Sequence, residues 1–199
     1  MNYNATAYNI PGLKPALDGK MRLLWRPFVN PDWTEVDTEW LQWQIPNWLD
    51  LGHRFILPDP EGSVHQVWKR SDAAEAAQSI HMYLEIAEVI WTAYVDWCRR
   101  ENLPLDYAMI GLYGFPRWGR RPAQGMVSEE DYRQQLEIER HIYQYVNVLT
   151  PSQYMFSRRD GEPDFKRFDT ACALVREEIT AHWSGPWYPY IRRGVNRRP

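Results

Sequence analysis

Residues 72–115, DAAEAAQSIHMYLEIAEVIWTAYVDWCRRENLPLDYAMIGLYGF, decide the fold class. Asp72-Ala-Ala-Glu75 has the form of a capping box, in which two side chains satisfy the orphan N–H groups of a helix start. Behind it, Ala73, Ala77, Ile80, Leu84, Ala87, Trp91, Tyr94 and Cys98 recur at steps of four and three. That spacing puts them on one helix face. No Gly or Pro interrupts the pattern before Leu103-Pro104, so it predicts a helix to about Glu101. Residues 107–115 (YAMIGLYGF) then read as an apolar strand. A helix feeding directly into a strand is the second half of a parallel crossover unit.

The flanks repeat the unit. Residues 53–57 (HRFIL) form a short apolar strand, closed by Pro58-Asp59-Pro60-Glu61-Gly62. Residues 21–29 (MRLLWRPFV) read as a strand before it. Between these two, Asp32-Trp-Thr-Glu35 resembles a capping box, and Trp33, Val36, Trp40 and Trp43 make a helix stripe. Pro46 is expected to kink or end that helix. Ser128-Glu-Glu-Asp131 starts a further helix to about Tyr143, and residues 145–149 (YVNVL) read as a strand ending in Thr150-Pro-Ser-Gln-Tyr154. Asp164 opens a helix with Phe165, Phe168, Cys172, Val175 and Ile179 on one face, and residues 187–191 form a last short strand. Strict alternation of this kind implies an α/β fold with parallel strands joined by helices. It predicts an irregular segment over 1–20, one domain over 21–193 and a basic tail over 194–199.

Composition narrows the function. The chain has 199 residues, 44% of them hydrophobic, and a formal net charge of −3. A chain of that length buries about 70% of its unfolded surface and needs neither disulfide nor metal to fold. The charge balance lacks the basic footprint of a nucleic-acid binder, so no nucleic-acid partner is expected. No stretch approaches the roughly 18–20 apolar residues of a membrane span, so no membrane is expected. Residues 1–15 lack a basic flank followed by an apolar core. A cytoplasmic protein is expected, with release by lysis equally compatible. Cys98 and Cys172 both fall on apolar helix stripes, as buried thiols do. Aromatic residues make up 15% of the chain, including 11 Trp, a load that serves a core, an interface or a cleft stacking sugar rings.

In parallel α/β folds, ligands bind at the carboxyl ends of the strands. Just after the predicted strands stand Asn30 and Asp32, then Asp59 and Glu61, then Tyr113 and Arg117, then Ser152 and Tyr154, then Arg192. These groups are expected to converge on one mouth. Asp59 and Glu61 carry the sharpest signal. Residues two apart in an extended segment point to one face, and Pro60 biases Asp59 towards that conformation. Each charge raises the pKa of its neighbour, which yields the protonated carboxyl that glycosidic cleavage requires. Pro-Asp-Pro-Glu-Gly is equally suited to a solvated turn. The five His residues show no metal-ligand spacing, and no Gly-rich phosphate loop is present, so no metal or cofactor is expected.

The same strand ends resemble those of the hyaluronidase-type TIM-barrel glycosidases and related barrels with an Asp-x-Glu strand end. Phe55-Ile-Leu-Pro-Asp59-Pro-Glu61 is similar to the strand that carries the family's acidic pair. Ile110-Gly-Leu-Tyr113-Gly-Phe-Pro116 is similar to its Tyr-Gly-Phe-Pro strand end, and Asn147-Val-Leu-Thr-Pro-Ser152-Gln-Tyr154 to its Leu-x-Pro-Ser-x-Tyr segment. The resemblance spans about residues 53–193. It implies a (β/α) TIM-barrel-like fold, incomplete here at about five parallel strands where such a barrel usually has eight and about 250 residues. It implies a glycoside hydrolase acting on an N-acetylhexosamine-containing polysaccharide. Glu61 is the implied general acid/base, and Asp59 orients the 2-acetamido group that serves as nucleophile. Tyr154 is implied to hold that group and Tyr113 to line the sugar site, while Arg117, Asn30 and Ser152 are expected from their strand-end positions to be further substrate contacts. Pro60 stands where the family usually has an aromatic or aliphatic residue, and the family's cysteine bridges have no counterpart.

A second expectation comes from the strand count. A parallel sheet of five strands leaves two edges, which are association-prone unless covered. A non-catalytic binding or structural subunit, as a homo-oligomer or a complementing subunit of a larger assembly, fits those edges and the Trp excess.

Overall fold

The structure, a computed structural model, describes residues 20–24, 35–58, 73–116, 130, 133, 136–137, 139–154, 164–188 and 190–192. The elements in chain order are β1 (Lys20–Leu24), α1 (Thr38–Asp50), β2 (His53–Pro58), α2 (Ala73–Glu101), β3 (Met109–Ile110), a 3-10 helix (Arg140–Tyr145), β4 (Ser152–Tyr154), α3 (Phe165–His182) and β5 (Tyr190–Arg192). Glu130, Arg133, Leu136, Glu137 and Glu139 are also helical.

β1, β2 and β3 form a three-stranded parallel sheet in that order, and β4 pairs with β5 in a parallel two-stranded one. Between the two sheets the pairing thins to isolated parallel bridges, Tyr113 to Thr150 and Leu149 to Trp187. The backbone N–H of Gly111 donates to Ile56 O (3.2 Å), that of Asn147 to Ile110 O (2.9 Å) and that of Tyr188 to Leu149 O (2.8 Å).

This arrangement corrects the TIM-barrel-like expectation. A barrel closes only when strands tilt and stagger through a complete circuit of pairings. Here the strands are two to six residues long, and two sheets stand where one continuous circuit is needed. Among the described residues no pairing joins β5 to β1, so the sheets are open.

α2 follows its sequence pattern. It runs without Gly or Pro and stops at Asn102, whose φ of 54° is left-handed. There the N–H of Asn102 donates to Arg99 O (3.3 Å) and that of Leu103 to Cys98 O (2.9 Å), the pair of bonds of a Schellman cap. Its buried face is broader than the predicted stripe. Met82, Tyr83, Ile86, Ala87, Ile90, Ala93, Tyr94, Trp97 and Cys98 are all buried, because the helix packs on α1 and on the 3-10 helix as well as over the sheet.

α1 differs from expectation in its cap, in its buried face and in running past its proline. Asp37 caps it, its Oδ1 accepting from the N–H of Trp40 (3.1 Å). The buried stripe is Leu41, Ile45, Trp48 and Leu49, whereas Trp43 is 64% exposed. Pro46 lies inside the helix and does not end it. The donor Pro lacks would have faced Gln42, an exposed residue whose carbonyl water can satisfy. Trp97 Nε1 donates to Asp50 Oδ1 (2.8 Å) and so ties the end of α1 to α2.

Residues 145–149 are not a regular strand. The 3-10 helix extends to Tyr145, and only then does the chain turn extended. Gly111 sits where this segment comes closest. A Cβ there would lie 2.7 Å from Val148 O and 2.9 Å from Val148 Cγ1, so only glycine allows the approach. No helix among the described residues is long and apolar enough to cross a membrane.

Candidate functional site

The parallel strands end side by side. The N–H of Tyr113 donates to Pro58 O (2.9 Å), the last residue of β2 and the one before Asp59 in sequence. Tyr113 bridges Thr150, two residues before Ser152. The N–H of Gly114 donates to Thr150 O (2.9 Å), and the N–H of Thr150 donates to Phe115 O (3.0 Å). Gly114 has a φ of 78°, the left-handed region that favours glycine. Ser152 and Tyr154 continue along β4, in register with Tyr190 and Arg192 of β5.

Of the sequence candidates, Tyr113, Ser152 and Tyr154 therefore lie on neighbouring carboxyl-edge segments. Leu112, Gly114 and Phe115 are buried around Tyr113, which is itself half-buried. Asn30, Asp59, Glu61 and Arg117 lie outside the described residues.

Sequence reasoning missed the polar groups that hold this edge. Asn147 Oδ1 accepts from the N–H of Ile110 (2.6 Å), while its Nδ2 donates to Leu105 O (3.0 Å) and Ala108 O (2.8 Å). Thr150 is buried, and its Oγ1 donates to Leu112 O (2.8 Å). The available signal was a polar residue inside an apolar run, Asn147 between two valines. Such residues are retained in a core only with full hydrogen bonding.

The amino edge has a different character. Arg54 Nη1 donates to Leu49 O (2.8 Å) and His53 O (3.0 Å), Nη2 donates to the Tyr107 hydroxyl, and the guanidinium lies 4.2 Å from the Tyr107 ring centre. These three bonds are all made to the protein itself. Tyr94 is likewise internal: its hydroxyl accepts from the N–H of Ala108 (2.9 Å) and donates to Leu105 O (2.9 Å). Burial pushes its pKa well above the ordinary tyrosine value and also raises that of the neighbouring Cys98 thiol.

A charged cluster lies between the 3-10 helix and α3. Arg140 Nε and Nη2 donate to the two oxygens of the buried Glu178, both at 3.0 Å. The hydrogen bond to Glu178 raises the Arg140 pKa. His182 Nε2 stands 3.8 Å from Glu178 Oε2. The cluster is a half-exposed clasp between two elements. A depression of about 490 Å³ lies on the outer face of α3, lined by Ala173, Arg176, Glu177, Thr180 and Ala181. It is remote in chemistry from the strand ends and holds no convergent polar groups of the kind that fix a ligand. Among the described residues no group of three or more His, Cys, Asp or Glu is placed to hold a metal ion.

Comparison with protein-family models, with curated proteins and with solved structures gives no significant match.

Proposed function

We propose that the carboxyl edge of the strands is a glycan-cleaving site acting on an N-acetylhexosamine-containing polysaccharide. The observation that carries this is the hydrogen bond from Tyr113 to Pro58 together with the Tyr113–Thr150 bridge. It sets the chain leading into Asp59 beside Tyr113 and beside the segment leading into Ser152 and Tyr154. Glu61 is the general acid that protonates the leaving glycosidic oxygen, and afterwards the base that activates water. Asp59 orients the 2-acetamido group, whose oxygen attacks the anomeric carbon as the leaving bond breaks. The carboxyl pair accounts for the acid, because one negative charge holds the proton on its neighbour. A cytoplasmic place of action, or one reached by lysis, goes with the placing of Cys98 and Cys172 on separate helices, unbridged to each other.

The test is Glu61→Gln. The parent protein is expected to release reducing ends from hyaluronan, chondroitin or chitin oligosaccharides. The variant should fold alike by circular dichroism and cleave at least about 100-fold more slowly. Undiminished cleavage by the variant removes Glu61 from its role, and a parent inert on all three polymers overturns the hydrolase.

A second reading, a non-catalytic subunit of a larger assembly, is favoured by the apolar exposure of Trp43 (64%) and Trp187 (40%). Aromatic side chains of that kind are enriched at interfaces. Light scattering decides it: a strict monomer at all concentrations argues against a homo-oligomer.

A further inference from the structure

We propose that Thr150 is a positioning residue that fixes Tyr113 at the carboxyl edge through its side-chain hydroxyl. The inference rests on the reading of that edge as the glycan site. Thr150 is buried in a segment whose neighbours Val148 and Leu149 are fully buried and apolar. By shape alone a valine would serve there, but the two are not interchangeable because of the hydroxyl.

That hydroxyl donates to Leu112 O (2.8 Å), and the backbone of the same residue bonds Gly114 O-to-N and Phe115 N-to-O. One residue thus grips the chain immediately before Tyr113 and immediately after it. The grip matters because the turn is built on Gly114 at positive φ, the residue type with the least conformational restraint of its own. Leu112 and Phe115 are buried on either side, and Tyr113 is the residue of this turn that reaches the surface. A group that contacts a sugar must be held within a fraction of an ångström, and displacement by about 1 Å can cost up to roughly 100-fold in rate.

The experiment uses the full chain with isotope-labelled tyrosine. Tyr113→Phe identifies the Tyr113 ring signal by its loss. Thr150→Val removes the hydroxyl and keeps the branched shape, whereas Thr150→Ser keeps the hydroxyl. The Tyr113 signal is expected to shift or broaden in Thr150→Val, with the Tyr94 signal in place, and to return to the parental position in Thr150→Ser. A packing role gives the opposite order, with Val close to the parent and Ser displaced, and overturns the proposal. An unmoved Tyr113 signal in both variants overturns it too. Should Thr150→Val fail to fold, Thr150→Ala against Thr150→Ser isolates the same hydroxyl. In cleavage assays kcat should fall in Thr150→Val by up to roughly 100-fold, KM should change little, and Thr150→Ser should recover the rate. A parent that cleaves no glycan overturns the site reading alone, because the tyrosine signal still decides the role of Thr150.

Discussion

A single amide, that of Asn147, satisfies three backbone groups: the N–H of Ile110 and the carbonyls of Leu105 and Ala108. Its own N–H donates to Ile110 O (2.9 Å), so the residue works as a two-sided splice between the β3 segment and the next one. Tyr94 completes the arrangement from α2, its hydroxyl bonding Ala108 and Leu105 as well. Two side chains therefore replace the strand pairing that the short β3 lacks. Removing the amide takes the acceptor from the N–H of Ile110, at about 1–3 kcal/mol, and one donor each from Leu105 O and Ala108 O, which the Tyr94 hydroxyl still reaches. Asn147→Leu is close in volume and apolar, so its cost measures the hydrogen bonds. It is expected to lower stability by about 2–4 kcal/mol. Urea unfolding followed by tryptophan fluorescence checks this, and a loss below about 1 kcal/mol would show that the splice is dispensable.

Among the elements, what could be foreseen was set by local rules. α2 begins and ends, and α3 begins, within a residue or two of expectation because caps and breakers act over a few residues. Of the tryptophan-bearing stripe expected for α1, Val36 is buried and Trp40 packs against the core, whereas Trp43 is exposed. The aliphatic set Leu41, Ile45 and Leu49 fits the interior more closely, and with Trp48 it takes that face. The helix expected to about Tyr143 runs on as a 3-10 helix to Tyr145, the first residue of the expected YVNVL strand, and tertiary contacts hold it. Ile142 is buried in the core, and Arg140 clasps Glu178 of α3 in bidentate form. No local pattern announces that pair. Glu178 is 6% exposed at its side chain and Arg140 is 35% exposed, so the pair is only half shielded from solvent. Arg140→Met should therefore cost about 2 kcal/mol, less than the 3–5 kcal/mol typical of a fully buried pair broken on one side. In a chain of this size that is a fall in Tm of about 4–8 °C. Combining it with Glu178→Gln should recover part of the loss, since the uncompensated charge is then gone. A double variant as unstable as the sum of the two singles would show that the residues do not interact.

At the scale of the whole molecule, closure is a property that no segment carries. Each crossover is legible from its own helix, but whether a last strand meets the first depends on tilt and stagger summed over all of them. The candidate mouth shares this limit: Tyr113, Ser152 and Tyr154 fall on adjoining segments, whereas Asn30, Asp59, Glu61 and Arg117 lie outside the described residues. One global property does follow from what is buried. Tyr94, Cys98, Cys172 and Tyr145 all have pKa values raised above their ordinary ones, chiefly by burial. All four are neutral near pH 7 in the folded and unfolded chain alike, so none affects stability there. As pH rises past the ordinary thiol value of 9.0, and then past the tyrosine value of 10.0, the unfolded chain releases protons that the folded one retains. Stability is thus fully present below about pH 9 and falls as pH climbs through the folded values. Tyr94 and Cys98 are adjacent, so a charge on either opposes ionisation of the other and the two titrate as a pair. Tm measured against pH should accordingly be flat up to about pH 9 and then fall with increasing slope. Cys98→Ala should flatten the first part of that limb, and Tyr94→Phe the second, even though the latter starts from a lower Tm because the N–H of Ala108 loses its acceptor. If both variants reproduced the parental slope between pH 9 and 11, the alkaline loss would have to come from groups other than this buried pair.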